Sequence, residues 1–158
     1  MPIHRFTREE LVEAPPAELF RIRIVRFQDV DAAGVVFFAR TLEYCHDAFI
    51  ELLAEQGHDW SVELAGGVVA PLKHVEADYL APLRFGDRMR IELVRAHLEA
   101  SQVTVGHRLV RQADERIAAV AQTVHVAVDA GTFERAPWPE QLARVFERIE
   151  TRGKSAAG

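Results

Sequence analysis

The stretch FQDVDAAGVVFFARTLEYCHDAF, residues 27–49, decides the fold class of this chain. It places two carboxylates, Asp29 and Asp31, between an alternating apolar segment and a long segment with helical periodicity. Three small residues, Ala32 to Gly34, separate the carboxylates from the predicted helix. The stretch therefore predicts a strand, a tight turn and a helix, with a carboxylate held at the helix N-terminus.

Apolar residues recur with a different spacing on either side of the turn. Residues 19–27 alternate, which predicts a strand with an apolar face and a solvated face that carries Arg21 and Arg23. Residues 36–56 have helical spacing and are apolar or small around most of the circumference, so this helix is predicted to be buried on most sides. Gly57 ends it.

Four further alternating segments follow the long helix. They predict strands over 75–82, 88–94, 102–110 and 118–129, and a β-branched face made by Val120, Val124, Val126 and Val128 is assigned to the core. Short helices are predicted over 60–67 and 138–150. Short polar turns favour antiparallel pairing, so the fold class is α+β, with one long central helix wrapped by a curved, five-stranded antiparallel sheet.

Length and composition limit the organisation and the class of protein. A chain of 158 residues predicts one domain over 19–150, preceded by a loose leader over 1–18 and followed by a flexible tail over 151–158. The net charge of -5 argues against nucleic-acid binding. No basic-then-apolar leader or apolar run of membrane-spanning length occurs, so we expect a cytoplasmic protein without membrane contact. Cys45 is the single cysteine, and no metal site is predicted.

Several motifs resemble one family. DVDAAGVVFFAR resembles the D-x-D-x-x-G-x-V-x-F motif of hotdog-fold acyl-CoA thioesterases of the 4-hydroxybenzoyl-CoA thioesterase type. EYCHDAF, APLKHVEADYLAPLRFGDRM, AQTVHV and RAPWP are most similar to the 1,4-dihydroxy-2-naphthoyl-CoA thioesterases of menaquinone biosynthesis. The resemblance implies a hotdog fold, an acyl-CoA substrate, and neither a metal nor a dissociable cofactor.

The same resemblance implies the roles of individual residues. Asp31 matches the catalytic carboxylate, and the backbone N–H of Phe38 matches the group that polarises the thioester carbonyl. The active site is implied to lie between subunits of a homotetramer built as a dimer of dimers. The remaining residues implied to contact substrate are Gly34, Val35, Phe37, Pro71, Lys73, His74 and Ser101.

Physical chemistry supports these roles. Thioester hydrolysis builds negative charge on the carbonyl oxygen, and a helix N-terminus offers unpaired N–H groups and a favourable dipole there. Gly34 and its alanine neighbours allow close approach to the backbone. A carboxylate can attack the carbonyl itself or deprotonate a water, and both routes stay open. Asp31 could instead be only a helix cap or an Asx-turn residue. For Asp29 we favour a structural role over tuning of a neighbouring pKa.

Other polar residues fit the family less closely. We interpret His46, His107 and His125 as packing or interface residues, and Cys45 as a core thiol. His74 either borders the acyl pocket of a neighbouring subunit or faces solvent. At the turn over 98–101, only Ser101 agrees with the family's basic cluster, so the CoA phosphates need other partners. Lys73, Arg84 and Arg95 are the candidates.

The predicted activity is hydrolysis of an aromatic acyl-CoA to the free acid and CoA. The candidate substrates are 1,4-dihydroxy-2-naphthoyl-CoA and 4-hydroxybenzoyl-CoA. Phe38 stands where short-chain aliphatic relatives carry a histidine, which favours the aromatic class. The alternatives are a short-chain aliphatic acyl-CoA thioesterase and a non-catalytic acyl-CoA-binding hotdog protein. A hotdog dehydratase needs a His with an Asp or Glu at other motif positions, and we find no matching pair.

Overall fold

The computed structural model describes residues 2–155, and its elements follow the predicted order. The helices are α1 (Arg8–Val12), α2 (Phe38–Glu55), α3 (Trp60–Leu64) and α4 (Glu140–Lys154). The strands are β1 (Phe20–Ile24), β2 (Val68–Val69), β3 (Leu72–Tyr79), β4 (Arg88–Leu98), β5 (Gln102–Arg111), β6 (Arg116–Val126) and β7 (Val128–Asp129). None of the helices within residues 2–155 has the length and apolar character needed to cross a membrane.

Five of the strands form one antiparallel sheet in the order β1-β4-β5-β6-β3. β2 and β7 pair separately as a small antiparallel ribbon. The α+β class and the five-stranded sheet are therefore confirmed. β3 follows α2 in sequence but lies at the edge beyond β6, so one side of β3 has no neighbouring strand within the described chain.

The core lies between α2 and one face of the sheet. Cys45, Phe49, Leu52 and Leu53 recur at helical spacing on α2 and are almost completely buried. Alternate residues of the central strands pack against them: Met89, Ile91 and Leu93 from β4, with Val103, Val105 and Leu109 from β5. Full burial of each such side chain contributes about 1.5–3 kcal/mol, so this two-layer core fixes the position of α2.

The faces of β1 are the reverse of the prediction. Arg21 and Arg23 point towards the helix layer, where both pair with Glu51 of α2. Phe20 and Ile24 lie on the other face and are 41% and 51% exposed. β1 is an edge strand beside the acidic stripe of α2, so the arginines neutralise that stripe and the apolar side chains turn outward.

The leader is not loose. Thr7 and Glu10 form a capping box at the start of α1, and Leu11 is buried against Val120 of β6. The buried Arg108 donates hydrogen bonds to the carbonyls of Val12, at 3.0 Å, and Ala14, at 2.6 Å. The N-terminal segment thus covers the sheet face opposite α2. Val120, which we assigned to the core, is buried beneath this segment and not beneath α2.

The C-terminal helix is longer than predicted. α4 continues to Lys154, and the carbonyl of Gly153 accepts a hydrogen bond from Arg95. Phe146 of α4 stacks on Phe49 of α2 with ring centroids 6.3 Å apart. The first part of the predicted flexible tail is therefore helical and packed, and residues 156–158 lie outside the described residues.

Candidate active site

A tight turn joins the end of β1 to α2. The Asp31 N–H donates to the Val35 carbonyl at 2.9 Å, and the Gly34 N–H donates to the Asp31 carbonyl at 3.0 Å. Gly34 has φ +77°, a left-handed conformation that favours glycine. A Cβ at Gly34 would have no heavy atom within 4 Å, so backbone geometry, and not crowding, accounts for this glycine.

Asp29 anchors the turn to the helix. Its carboxylate is fully buried and accepts two hydrogen bonds from Arg26, at 2.9 and 3.1 Å, and one from the hydroxyl of Tyr44. Its carbonyl accepts the Phe37 N–H at 2.8 Å. Burial disfavours the charged form, but the bonds from Arg26 and Tyr44 outweigh burial and hold the pKa of Asp29 below its usual value. These contacts support a structural role for Asp29.

Asp31 lies in an exposed Asx turn, in which its Oδ1 accepts the Ala33 N–H at 2.8 Å. The Asx-turn role that we gave as an alternative to catalysis for Asp31 is therefore present in the structure. Within residues 2–155, hydrogen bonding engages only Oδ1 of this carboxylate. The turn fixes the direction of the side chain and leaves Oδ2 for a reacting partner, so the structural and chemical roles are compatible.

The N-terminus of α2 is open. Phe37 is the N-cap residue and makes no side-chain cap hydrogen bond. Phe38 is the first helical residue, so its N–H has no acceptor one turn earlier in the helix. The hydroxyl of Tyr79 on β3 donates to the Phe38 carbonyl at 2.7 Å and ties the edge strand to the helix start. Among residues 2–155 the Phe38 N–H therefore has no hydrogen-bond partner.

Asp31 and Phe38 line one cleft of about 460 Å³. Of the residues predicted to contact substrate, Val35 and Phe37 also line it, and Gly34 lies in the adjoining turn. Phe37 and Phe38 are 43% and 60% exposed, and their ring centroids lie 4.7 Å apart. The cleft therefore has an exposed aromatic surface formed by Phe37 and Phe38 and is lined by one acidic residue, Asp31.

Two polar residues of the cleft were missed by the sequence analysis, namely Thr41 and Tyr79. Thr41 lies within the helical pattern and Tyr79 within an alternating strand pattern. Nothing local distinguishes them from packing residues, because each reaches the cleft only when β3 and α2 come together.

The other predicted contacts lie away from this cleft in the single chain. Pro71 precedes β3, and Lys73 and His74 are near its start, whereas Tyr79 is at its end. Tyr79 lies six positions after Lys73 along the strand, which corresponds to about 20 Å. Lys73 Nζ donates to Gln102 Oε1 at 3.2 Å, and His74 contacts Arg5 and Glu76. Ser101 accepts hydrogen bonds from Arg135.

Two arginines were candidates for binding the CoA phosphates. Arg95 donates to the carbonyls of Glu10 and Gly153, which places its guanidinium within the N- and C-terminal packing. Arg84 is exposed and follows Leu83, which lines the cleft. The geometry therefore favours Arg84 over Arg95 as a phosphate contact.

The three histidines that we assigned to packing or an interface line a second cavity, of about 360 Å³. It lies between α2 and the β3, β5 and β6 part of the sheet. His46 is exposed, whereas His107 and His125 are buried. Burial, and to a smaller extent the neighbouring histidines, lowers the pKa of His107 to about 3. Burial also lowers the pKa of His125 to about 4. Both rings are neutral at pH 7.

These buried rings predict loss of stability in mild acid. A histidine with a lowered pKa in the folded state binds a proton more readily when unfolded. Stability is therefore full above pH ~6.5 and falls as pH drops towards the folded values, by up to about 1.4 kcal/mol per pH unit for each ring. Urea unfolding between pH 7.5 and 4.5 should show this fall. A flat profile would contradict neutral burial of His107 and His125.

Comparison with known proteins defines the class. A curved antiparallel sheet around one central helix is the hotdog fold, and an open helix N-terminus facing a carboxylate suits thioester hydrolysis. The chain belongs to the thioesterase-like superfamily, whose family model matches residues 25–146.

Individual relatives agree with this assignment. A 1,4-dihydroxy-2-naphthoyl-CoA hydrolase from Synechococcus elongatus is 38% identical over 122 residues, which is 76% of this chain and 88% of the relative. One from Synechococcus sp. strain CC9605 is 35% identical over 143 residues, 87% of this chain and 93% of the relative. The crystal structure of a 1,4-dihydroxy-2-naphthoyl-CoA thioesterase from Synechocystis superposes with a TM-score of 0.73 at 28% identity, covering 78% of this chain and 90% of that one.

Proposed function

We propose that this protein is an acyl-CoA thioesterase that hydrolyses the thioester of an aromatic acyl-CoA to the free acid and CoA. The observation that carries the proposal is the shared cleft. Asp31, Phe37 and Phe38 line one opening, and both phenylalanines are exposed. The relatives named 1,4-dihydroxy-2-naphthoyl-CoA hydrolase make that ester the first candidate substrate. We place the reaction in menaquinone biosynthesis.

The chemistry follows from the two polar groups. The Phe38 N–H and the dipole of α2 stabilise negative charge as it develops on the carbonyl oxygen. The Asp31 carboxylate either attacks the carbonyl carbon, giving a mixed anhydride that water then opens, or takes a proton from an attacking water. In both routes the C–S bond breaks and CoA leaves as the thiolate. The proposal needs no metal or dissociable cofactor.

A second copy of the chain would complete the site. β3 is an edge strand whose outer side has no neighbouring strand within the described chain. Antiparallel pairing of β3 with its copy would set the start of one strand against the end of the other. Lys73 and His74 of one subunit would then lie near Tyr79 and the cleft of its partner. This geometry supports the predicted site between subunits, with Pro71 beside it. The dimer of dimers as the full assembly follows from the family resemblance alone.

The assembly is testable in solution. We expect light scattering to give at least a dimer, and a tetramer at micromolar concentration. Replacing Val75 with proline removes a backbone N–H from β3 and should weaken both self-association and turnover. A monomer that keeps full activity would contradict a site shared between subunits.

The substrate class is tested with a panel of CoA esters. Because aromatic rings line the cleft mouth, we expect kcat/KM to be higher for 1,4-dihydroxy-2-naphthoyl-CoA and 4-hydroxybenzoyl-CoA than for acetyl-, butyryl- or palmitoyl-CoA, by roughly tenfold or more. Thiol release at matched ester concentrations measures this. A straight-chain ester as the best substrate would contradict the aromatic assignment and favour the aliphatic alternative.

A further inference from the structure

The edge strand β3 carries two carboxylates on the sheet face opposite α2. Glu76 and Asp78 lie opposite Gln122 and Val120 of β6 in the antiparallel register, and residues directly opposite share a face. Val120 is buried beneath the N-terminal segment, which identifies that face. The Glu76 side chain is 40% exposed, and Asp78 is exposed. We call Glu76 and Asp78 the acidic row of the β3 edge.

Pairing of β3 with its copy brings two acidic rows together. In an antiparallel pair, side chains of the same face stand opposite one another with Cβ atoms about 4.5–5.5 Å apart, and like charges in that position are destabilising. The seam between two copies contains four carboxylates, two from each copy. A dimer formed through β3 is therefore stabilised by any positive charge that is held against this face of the seam.

Two arginines of the N-terminal segment lie beside the acidic row. Arg5 Nη2 lies 3.3 Å from His74 Nε2, and Arg5 Nε lies 3.9 Å from Glu76 Oε1. Arg8 lines a groove of about 270 Å³ together with Glu76 and Asp78. The side chains of Arg5 and Arg8 are 57% and 55% exposed. Each arginine therefore keeps accessible charge next to the edge at which a second copy would add its strand.

The main chain on both sides of Arg5 is held to the sheet. The Gln122 side chain accepts the Phe6 N–H and donates to the Phe6 carbonyl, both at 2.8 Å. Thr104 Oγ1 donates to the His4 carbonyl at 2.9 Å. Because His4 and Phe6 flank Arg5 in the sequence, these bonds determine where the Arg5 side chain leaves the main chain.

We propose that the N-terminal segment is part of the subunit interface, and that Arg5 and Arg8 offset the combined charge of the two acidic rows where β3 meets its copy. The partner at this surface is a second copy of the chain. This role rests on the β3 pairing put forward with the proposed function and extends that interface to a further segment. The family model matches residues 25–146, so the contribution comes from a part of the chain outside that match.

The dissociation constant of the dimer, measured by sedimentation over a dilution series, tests this role in Arg5→Ala with Arg8→Ala. Both side chains are exposed, so we expect the fold to be retained, which circular dichroism checks. Exposed ion pairs are weak, but two-fold symmetry counts each substitution twice, so the constant should rise about tenfold at low salt. High salt screens the seam and should reduce the difference. If dilution does not dissociate the dimer, subunit exchange between labelled copies gives the same comparison as a rate.

A double-mutant cycle tests whether the acidic row is what the arginines act on. In a Glu76→Gln, Asp78→Asn background the seam has no negative row to offset, so the same two arginine substitutions should raise the constant by less than about twofold. An equal rise in both backgrounds would overturn the proposal, because the arginines would then act through other contacts. An unchanged constant in the wild-type background would also overturn it.

Arg144→Ala with Arg148→Ala is the matched control. These two arginines lie on α4, which packs on β4, and their side chains are 70% and 49% exposed. Each forms an ion pair, with Glu140 and Glu18 respectively. Their removal changes the net charge by the same amount and should leave the dissociation constant unchanged. A rise equal to that of the Arg5 and Arg8 variant would overturn the proposal, since net charge alone would then explain both.

Sedimentation and turnover separate this proposal from the proposed function. A wild type that dimerises but hydrolyses no ester would contradict the thioesterase function, and the dissociation constants would still decide the role of Arg5 and Arg8. A monomeric wild type would overturn the interface proposal, whether or not thiol is released.

Discussion

Replacement of Asp31 by asparagine should reduce kcat by roughly a hundredfold or more. Asparagine keeps the size of the side chain and an oxygen that can accept the Ala33 N–H, so the Asx turn is retained. It removes the negative charge that either attacks the carbonyl or accepts a proton from water. The loss of stability should not exceed about 1 kcal/mol, which is typical for a weakened cap. Steady-state thiol release and urea unfolding of the same preparations measure the two effects.

Asp59→Asn provides the matched control for charge removal. Asp59 is an N-cap whose Oδ1 accepts the N–H groups of Ser61 and Val62 at the start of α3, and it does not line the Asp31 cleft. Its replacement should leave turnover near that of the wild type. Near-normal turnover by a folded Asp31→Asn protein would contradict the catalytic role of Asp31.

Replacement of Asp29 by alanine should cause a clear loss of stability, about 1–3 kcal/mol, because the buried Tyr44 hydroxyl loses its acceptor. The substitution leaves the buried hydroxyl of Tyr44 and the guanidinium of Arg26 without their shared acceptor. It also loosens the segment that aligns Asp31 with the start of α2. We therefore expect a lower urea midpoint and lower turnover. Tyr44→Phe removes one of the bonds and should cost about 0.5–1.5 kcal/mol.

The Arg111–Asp114 pair is the control for this second prediction. It has the same three-residue spacing as Arg26–Asp29 and a similarly close contact, but its carboxylate is 41% exposed, whereas that of Asp29 is buried. Solvent screens a partly exposed pair, so Asp114→Ala should lower the urea midpoint by much less than Asp29→Ala. Equal losses in the two variants would contradict the anchoring role of Asp29.

The local parts of the site could be predicted from the sequence. Asp31, Gly34 and the start of α2 lie within eight residues, so their arrangement follows from turn and helix chemistry. The reversed faces of β1 could not be predicted in this way. Alternation shows that Arg21 and Arg23 share a face, but only the acidic residues of α2 determine which way that face points.

The remaining parts depend on contacts between distant segments. The helix in the leader has a capping box, but its burial depends on Arg108, nearly a hundred residues away. Tyr79 joins the cleft only because β3 returns to the start of α2.

Thiol release with the enzyme in excess over 1,4-dihydroxy-2-naphthoyl-CoA tests the central claim most directly, because one turnover suffices and product inhibition does not interfere. We predict one equivalent of thiol from the wild type. In the same period Asp31→Asn should bind the ester and release thiol at least a hundredfold more slowly. Binding of the ester by the wild type without thiol release above the uncatalysed rate would contradict the account, and would make the protein a non-catalytic acyl-CoA-binding member of its superfamily.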